Sequence, residues 1–324
     1  MSFRFSFETA PGFLKYSAAT RPMPQFAAYA AGMVSRAPTT GSSSLMPCRA
    51  SMPTPAVALL SQDLGAVISA SHNPPEYNGV KLFDRHGHKL TDADEVAIEA
   101  LLDVPATNGG SVERDETAAA GYVDHVLERF GADLTGLRVA VDCANGAFSS
   151  IAPSVFERLG AAVTAVADAP DGANINDGCG ATDLSLLSEV VRAEGLDLGV
   201  AFDGDGDRML AVDERGARVD GDQILSVLAL ARGVDQVVVT VMTNMGFHRL
   251  MAERGIRVHV TDVGDRYVLE AMRREGAVLG GEQSGHIISL EGHVTGDGLA
   301  AALLLCRALE GRPLSEAVAV LPRY

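Results

Sequence analysis

Three aspartates alternate with glycines in the stretch DGDGDR, residues 203–208. Glycine removes side-chain bulk and permits a sharply curved backbone, so Asp203, Asp205 and Asp207 can turn toward one point. Three hard oxygen donors in one loop suit Mg²⁺, which prefers octahedral oxygen coordination. Read alone, the stretch also fits a solvated acidic turn. A calcium loop is a sharper rival, because Glu214 stands at position 12 counted from Asp203. That loop needs glycine at position 6, where this chain has Arg208. Its flanks also read as strands rather than helices, and the calcium reading is rejected. Arg208 instead places a fixed cation beside the donors, where a phosphate can bind it bidentately.

A second polar loop, SASHNP, occupies residues 69–74. Ser71 is a hydroxyl at a strand end, and His72, Asn73 and Pro74 shape the turn after it. A serine has no unusual nucleophilicity by itself, and a capping serine in a turn fits equally well. A phosphate ties the two loops together. A phosphoserine carries roughly −1.5 to −2 charges, which the metal and Arg208 can hold. The pair then forms one phosphoryl-transfer site, with the metal stabilising charge on the oxygens of a loose transition state.

Two further loops carry polar groups. GGEQSGH (280–286) alternates Glu282, Ser284 and His286, so one face of an extended segment presents carboxylate, hydroxyl and imidazole to sugar hydroxyls. A tight turn between strands is the plain alternative. DVGDRY (262–267) offers Arg266 at a helix start, a place for an anionic group.

These loops need elements to position them. Strands are expected at 65–70, 78–83, 137–143, 161–167, 196–203, 209–214, 236–242, 256–262 and 277–281. Helices are expected over 92–102, from Tyr122 through Phe130, up to Leu159, and over 183–195, 221–233, 246–254, 265–274 and 295–309. Gly195 supplies a helix stop. Such alternation predicts an α/β fold of consecutive domains, with mixed, mostly parallel sheets covered by helices. Functional loops then lie beyond the carboxyl ends of strands, as SASHNP, DGDGDR and GGEQSGH all do.

Residues 1–52 stand apart, with five Lys/Arg and one acid, Glu8, and no clean period. A transit peptide and a disrupted or mistranslated start both fit this stretch, and a secretory signal fits less well. The rest divides into units at 53–135, 136–233 and 234–324. The chain of 324 residues carries a net charge of −16, which repels nucleic acid and anionic membranes. Its four scattered cysteines form no C-x-x-C pair, and a reducing cytoplasm is the simplest setting. The richest apolar run, LAAALLLCRAL (299–309), is too short for a membrane span and reads as a buried helix.

Taken in order, S-A-S-H-N-P, D-G-D-G-D-R and G-E-Q-S-G-H resemble the α-D-phosphohexomutase superfamily from about residue 53 to 320. GGEQSGHII (280–288) and VGDRYVLEAM (263–272) are most similar to its bacterial hexosamine-phosphate branch. The resemblance implies interconversion of glucosamine 6-phosphate and glucosamine 1-phosphate through a phosphoserine and a bisphosphate intermediate. It implies Ser71 as the phosphorylated residue and Asp203, Asp205 and Asp207 as Mg²⁺ ligands, joined by a phosphate oxygen on Ser71. Glu282 and Ser284 then read sugar hydroxyls, while His72, Lys81, Arg208 and His286 support the cleft. The alternatives are phosphomannomutase or phosphoglucomutase activity, or an inactive remnant that only binds Mg²⁺ or sugar phosphate. Gln283, between Glu282 and Ser284, speaks against the first two. A hexosamine phosphate is the expected partner, with no nucleic acid and no membrane, and a homodimer is left open. The superfamily's G-T-D-G-x-R-G and G-R-D-T-R segments and its fourth-domain R-x-S-G-T-E loop are not found in residues 1–324. A missing fourth domain and a disrupted start are therefore expected.

Overall fold

The computed structural model describes residues 14–15, 52–60, 62–101, 115 and 117–321. Apart from Leu14–Lys15 and Met52, the reading of residues 1–52 lies outside the described residues, as does most of the connector around 102–116.

The described strands form three sheets. In the first, β2 (Leu64–Ser69) pairs antiparallel with β3 (Gly79–Asp84), and β1 (Leu14–Lys15) lies on the far side of β3. The Ala70–Asn78 connection is too short for the dozen or more residues that a parallel crossover needs, so this sheet is antiparallel. Helix α1 (Thr54–Leu59) packs on β2.

The second sheet has the order β5-β4-β6-β7-β8. It comprises β4 (Arg138–Asp142), β5 (Ala162–Val166), β6 (Leu198–Phe202), β7 (Met209–Asp213) and β8 (Arg218–Val219). Pairings of β4 with β5 and β6 are parallel, and those of β7 with β6 and β8 are antiparallel. The third sheet runs β10-β9-β11-β12, built from β9 (Gln236–Thr240), β10 (Arg257–Thr261), β11 (Leu279–Gly281) and β12 (Ile287–Ser289). Only its β11–β12 hairpin is antiparallel.

The other helices are α2 (Asp92–Glu99), α3 (Ala118–Phe130), α4 (Ala152–Arg158), α5 (Ser185–Glu194), α6 (Gly221–Arg232), α7 (Met245–Glu253), α8 (Asp265–Glu275), α9 (Gly298–Leu309) and α10 (Leu314–Val318). The apolar run read as a buried helix is α9, which packs on α3, α6, β6, β7 and β12. It begins at Gly298 rather than at 295, because the Asp297 carboxylate caps it by accepting from the Leu299 and Ala300 amides. Helix α5 stops at Gly195 in the left-handed conformation. Helix α4 starts later than ANGAFSS suggests, since Ala144 and Asn145 take positive φ.

Each of the three loops leaves the carboxyl end of a strand: SASHNP from half-buried β2, DGDGDR from buried β6 and GGEQSGH from buried β11. Gly206 lets the aspartate loop turn. It has φ +78°, and a Cβ there would sit 2.4 Å from the Phe148 ring, itself packed edge-on against Phe202. Gly206→Ala is expected to cost about 2–5 kcal/mol, from the left-handed backbone plus overpacking. Urea unfolding checks this, and an unchanged midpoint would contradict it.

Candidate active site

Four backbone hydrogen bonds draw the separate units onto the aspartate loop. Gly204 N donates to Ser71 O at 3.0 Å, and Thr54 N donates to Asp205 O at 2.9 Å. Met209 N donates to Gly285 O at 2.9 Å, and Gly298 N donates to Gly206 O at 2.9 Å. The loops that sequence alone leaves separate are therefore one constellation.

Ser71 is buried, with its Oγ donating to Asp203 Oδ2 at 3.0 Å. Its φ is 52°, a conformation that costs a non-glycine residue about 1–2 kcal/mol. The strain is held in place from several sides. Ser71 N donates to Ser69 Oγ at 2.9 Å, and Asn176 Nδ2 donates to the carbonyls of Ser71 and Asn73 at 2.8 and 2.9 Å. Backbone strain maintained by its surroundings is a mark of functional loops.

The carboxylates of Asp203, Asp205 and Asp207 are buried, and each offers an oxygen within 4.8 Å of the others. Lys81, from β3, places its Nζ 2.5 Å from Asp205 Oδ2, 2.6 Å from Asp207 Oδ2 and 3.5 Å from Ser71 Oγ. Thr54 Oγ1 also donates to Asp205 Oδ2, at 2.7 Å. Arg208 donates its backbone N–H to Asp203 Oδ1 at 3.1 Å.

With all three ionised, the carboxylates exceed the ammonium and the guanidinium by one negative charge. Burial, then the charges of Asp205 and Asp207, push the Asp203 carboxyl well above its ordinary value. Asp207 moves the other way: burial opposes its charge, but Lys81 and His286 outweigh burial and hold it well below. Burial also works against the Lys81 ammonium, yet Asp205 and Asp207 overcome that and raise it. His72 is pushed down to about 4 by burial and by Arg208, so it is neutral at pH 7.

The triad fits a divalent cation. Besides that excess charge, Asp205 Oδ1 is buried with no hydrogen-bond partner. Buried carboxylates in such a state bind metals or pair with cations.

An open cavity of about 450 Å³ is lined by Arg218, Asp220, Thr240, Met242, Val263, Glu282, Gln283 and Ser284, and not by Ser71, Lys81 or the three aspartates. Gly264 N donates to Glu282 Oε1 at 3.0 Å and fixes that carboxylate. Ser284 stands exposed at the rim. His286 is buried, with Nδ1 3.7 Å from Asp207 Oδ1 and Nε2 3.9 Å from Asp265 Oδ2. Arg266 lies elsewhere: its guanidinium grips Asp92 of α2 with two bonds of 2.8 Å and does not line the cavity.

Sequence reasoning brought forward Ser71, His72, Lys81, the aspartates, Arg208, Glu282, Ser284 and His286. It missed Thr54, Asn176, Arg218 and Asp220. The one local signal among these is Asn176, an asparagine in the left-handed region (φ 58°), where that side chain is tolerated.

Comparison with known proteins defines the class. Three family profiles match in succession: phosphoglucomutase/phosphomannomutase alpha/beta/alpha domain I over residues 40–107, domain II over 120–216 and domain III over 220–324. The chain belongs to the phosphoglucomutase/phosphomannomutase family, the α-D-phosphohexomutases. Within it, the chain is 50% identical to the phosphoglucosamine mutase of Moorella thermoacetica over 292 residues, 84% of this chain and 66% of that one. It is 51% identical to the phosphoglucosamine mutase of Acidothermus cellulolyticus over 289 residues, 84% of this chain and 63% of that one. The chain thus spans just under two thirds of these relatives.

The crystal structure of a phosphoglucomutase/phosphomannomutase family protein from Burkholderia thailandensis superposes with a TM-score of 0.73 at 26% identity, covering 84% of this chain and 64% of that one. An N-acetylphosphoglucosamine mutase from Aspergillus fumigatus, in complex with GlcNAc-6P and magnesium, shares the fold at TM-score 0.59 and 20% identity, covering 84% of this chain and 75% of that one. Among the described residues, no helix is long and apolar enough to cross a membrane.

Proposed function

We propose that this chain carries the phosphoryl-transfer and sugar-reading parts of a phosphoglucosamine mutase, exchanging phosphate between Ser71 and glucosamine 6-phosphate or glucosamine 1-phosphate. The observation that carries the reading is Ser71 itself: a strained, buried serine whose hydroxyl lies 3.0 Å from the acidic triad, with its carbonyl bound to the metal loop. The phosphoglucosamine mutases at about half identity support a hexosamine phosphate as substrate.

The starting state in this reading is phosphorylated Ser71. A sugar hydroxyl attacks phosphorus, the new sugar O–P bond forms, and the Ser71 Oγ–P bond breaks. In net terms the proton that the hydroxyl gives up as its oxygen bonds to phosphorus is the one that Ser71 Oγ gains as its own bond breaks, and the Lys81 ammonium, 3.5 Å from Oγ, stays charged beside the oxygen that leaves. The sugar then carries two phosphates, turns over, and returns the other one to Ser71 by the reverse step. Glu282 and Ser284 hold sugar hydroxyls at the cavity, His286 steadies Asp207 and Asp265, and neutral His72 stands beside the nucleophile. Arg208, held by the carboxylates around it, is the cation for phosphate oxygens. Asp203, Asp205 and Asp207 would hold Mg²⁺, which when bound supplies positive charge beside the transferring oxygens. Arg266 enters this reading only if it exchanges Asp92 for a substrate phosphate.

Two experiments test the reading. After incubation with a hexose 1,6-bisphosphate, tandem mass spectrometry is expected to find phosphate on Ser71. Coupled assays on the 6-phosphates of glucosamine, glucose and mannose are expected to rank glucosamine first, and a higher rate with mannose or glucose would replace the assignment.

The metal is tested apart from activity. Asp205→Ala is expected to weaken Mg²⁺ binding by about 100-fold or more, since even outer partners of metal ligands are worth 10–100-fold. Calorimetry reads this directly, and unchanged affinity would remove the triad from the metal's shell.

A further inference from the structure

The first turn of α6 touches three walls of the cavity. Asp220, which caps the helix, lines the cavity itself. Gly221 N donates to Gln283 O at 3.0 Å, and a Cβ on Gly221 would lie 2.1 Å from Glu282 O, so the helix abuts the sugar-reading loop through glycine. Asp222 comes next and reaches the third wall, the loop between β9 and α7. Its Oδ2 accepts from Asn244 N at 2.8 Å.

The loop runs from Val241 to Asn244, and Asn244 also caps α7, its Oδ1 accepting from Gly246 N at 2.7 Å. Val241 and Met242 are 61% and 62% exposed, so apolar packing of these two does not fix the loop. Its root is tied to β10 by Val241 N donating to Thr261 O at 2.9 Å, and its turn closes on Thr240. Beyond the root, the Asp222 bond joins the Thr243–Asn244 peptide to the body of the protein. Thr240 and Met242, on the near side of that joint, face the cavity.

The choice of residue is costly for a merely structural role. Asp222 is fully buried, and burial pushes its carboxyl up to about 6. Its Oδ1 and the buried hydroxyl of Thr243 have no other partner, and the hydroxyl lies near enough to offset part of that upward push. An acidic residue in a first helical turn complements the helix dipole just as well when exposed. Burying it makes sense where one of its oxygens has a position to fix.

We propose that Asp222 is a positioning residue: it pins the β9–α7 loop at Asn244 N, and so sets the cavity wall against which a hexosamine phosphate binds, without touching the sugar. The proposal rests on the reading of this cavity as the sugar site.

The test uses the full chain with Asp222→Ala, Asp222→Asn and Asp222→Ser. Amide exchange at Asn244, calorimetric affinity for glucosamine 6-phosphate, and Mg²⁺ affinity are measured on each. Asp222→Ala is expected to speed Asn244 exchange and weaken glucosamine 6-phosphate each by about tenfold, the value of one buried hydrogen bond, while Mg²⁺ affinity is unchanged. Asp222→Asn keeps an acceptor oxygen and is expected to restore both. If the alanine variant does not fold, Asp222→Ser, too short to reach Asn244, takes its place. Unchanged Asn244 exchange in the truncated side chains overturns the role of Asp222 outright. So does failure of Asp222→Asn to rescue, which would make the charge rather than the acceptor matter. Absence of glucosamine 6-phosphate binding in the unaltered chain instead overturns the sugar reading, and the exchange data still decide the loop contact.

Discussion

Replacing Ser71 with alanine is expected to remove the phosphoprotein signal and to lower mutase turnover by about 10⁴-fold or more, the scale of losing a covalent nucleophile. Tandem mass spectrometry and the coupled assay read the two effects independently. Alanine keeps the strained backbone at φ 52° while glycine relieves it, so Ser71→Gly makes a useful companion. It is expected to be about 1 kcal/mol more stable than Ser71→Ala and equally unphosphorylated. This separates the hydroxyl from the loop conformation: if the alanine variant fails merely because its loop collapses, glycine restores some turnover. A phosphate that persists in Ser71→Ala, on Ser69 or Ser284 for example, would move the nucleophile and undo the assignment.

What was legible in advance follows from how local each signal is. DGDGDR and SASHNP announce themselves because donor spacing and turn residues sit within six positions, and the strands before them are plain apolar runs. Their meeting was legible only through chemistry, as two loops that a phosphate can unite. The Gly204–Ser71 bond shows the contact itself. Thr54 carries no such local mark: its hydroxyl serves Asp205 from 151 positions away, in a Pro-Thr-Pro turn that reads as a helix start. Arg218 and Asp220 likewise look like the end of one strand and the cap of the next helix, and the cavity they line exists only once β11 arrives beside them. Arg266 shows the converse. A guanidinium at a helix start suits an anion, and the anion it meets is Asp92, on the acidic face of α2. The fold class was readable from the alternation of strands and helices, but the antiparallel β2–β3 pair was not, because alternation says nothing about a hairpin whose connection is the polar Ser71 loop.

Lys81 is the second site of large expected effect. Its ammonium sits between Asp205 and Asp207 at 2.5 and 2.6 Å, with all three side chains almost wholly buried. Lys81→Met keeps the apolar stem and removes the charge, leaving two carboxylates face to face in a dry site beside Asp203. Removing one partner of a buried ion pair costs about 3–5 kcal/mol, because the remaining charge loses its compensation. The variant is therefore expected to unfold at distinctly lower urea in the absence of divalent ions. Mg²⁺ then acts on the two proteins differently. In the unaltered chain the ion must share its carboxylates with the ammonium, whereas in Lys81→Met it meets three carboxylates and no like-charged neighbour closer than Arg208. Mg²⁺ is expected to bind the variant about tenfold tighter or more, since even well-screened charges a few ångströms apart interact by a few kcal/mol. At 100 times its dissociation constant the ion restores about 2.7 kcal/mol of stability, most of what the substitution removes. Urea unfolding with and without Mg²⁺, alongside calorimetry, measures each part. A variant as stable as the parent without metal would show that the ammonium does not compensate the triad. A variant whose lost stability Mg²⁺ does not restore would show that the ion binds somewhere other than among Asp203, Asp205 and Asp207.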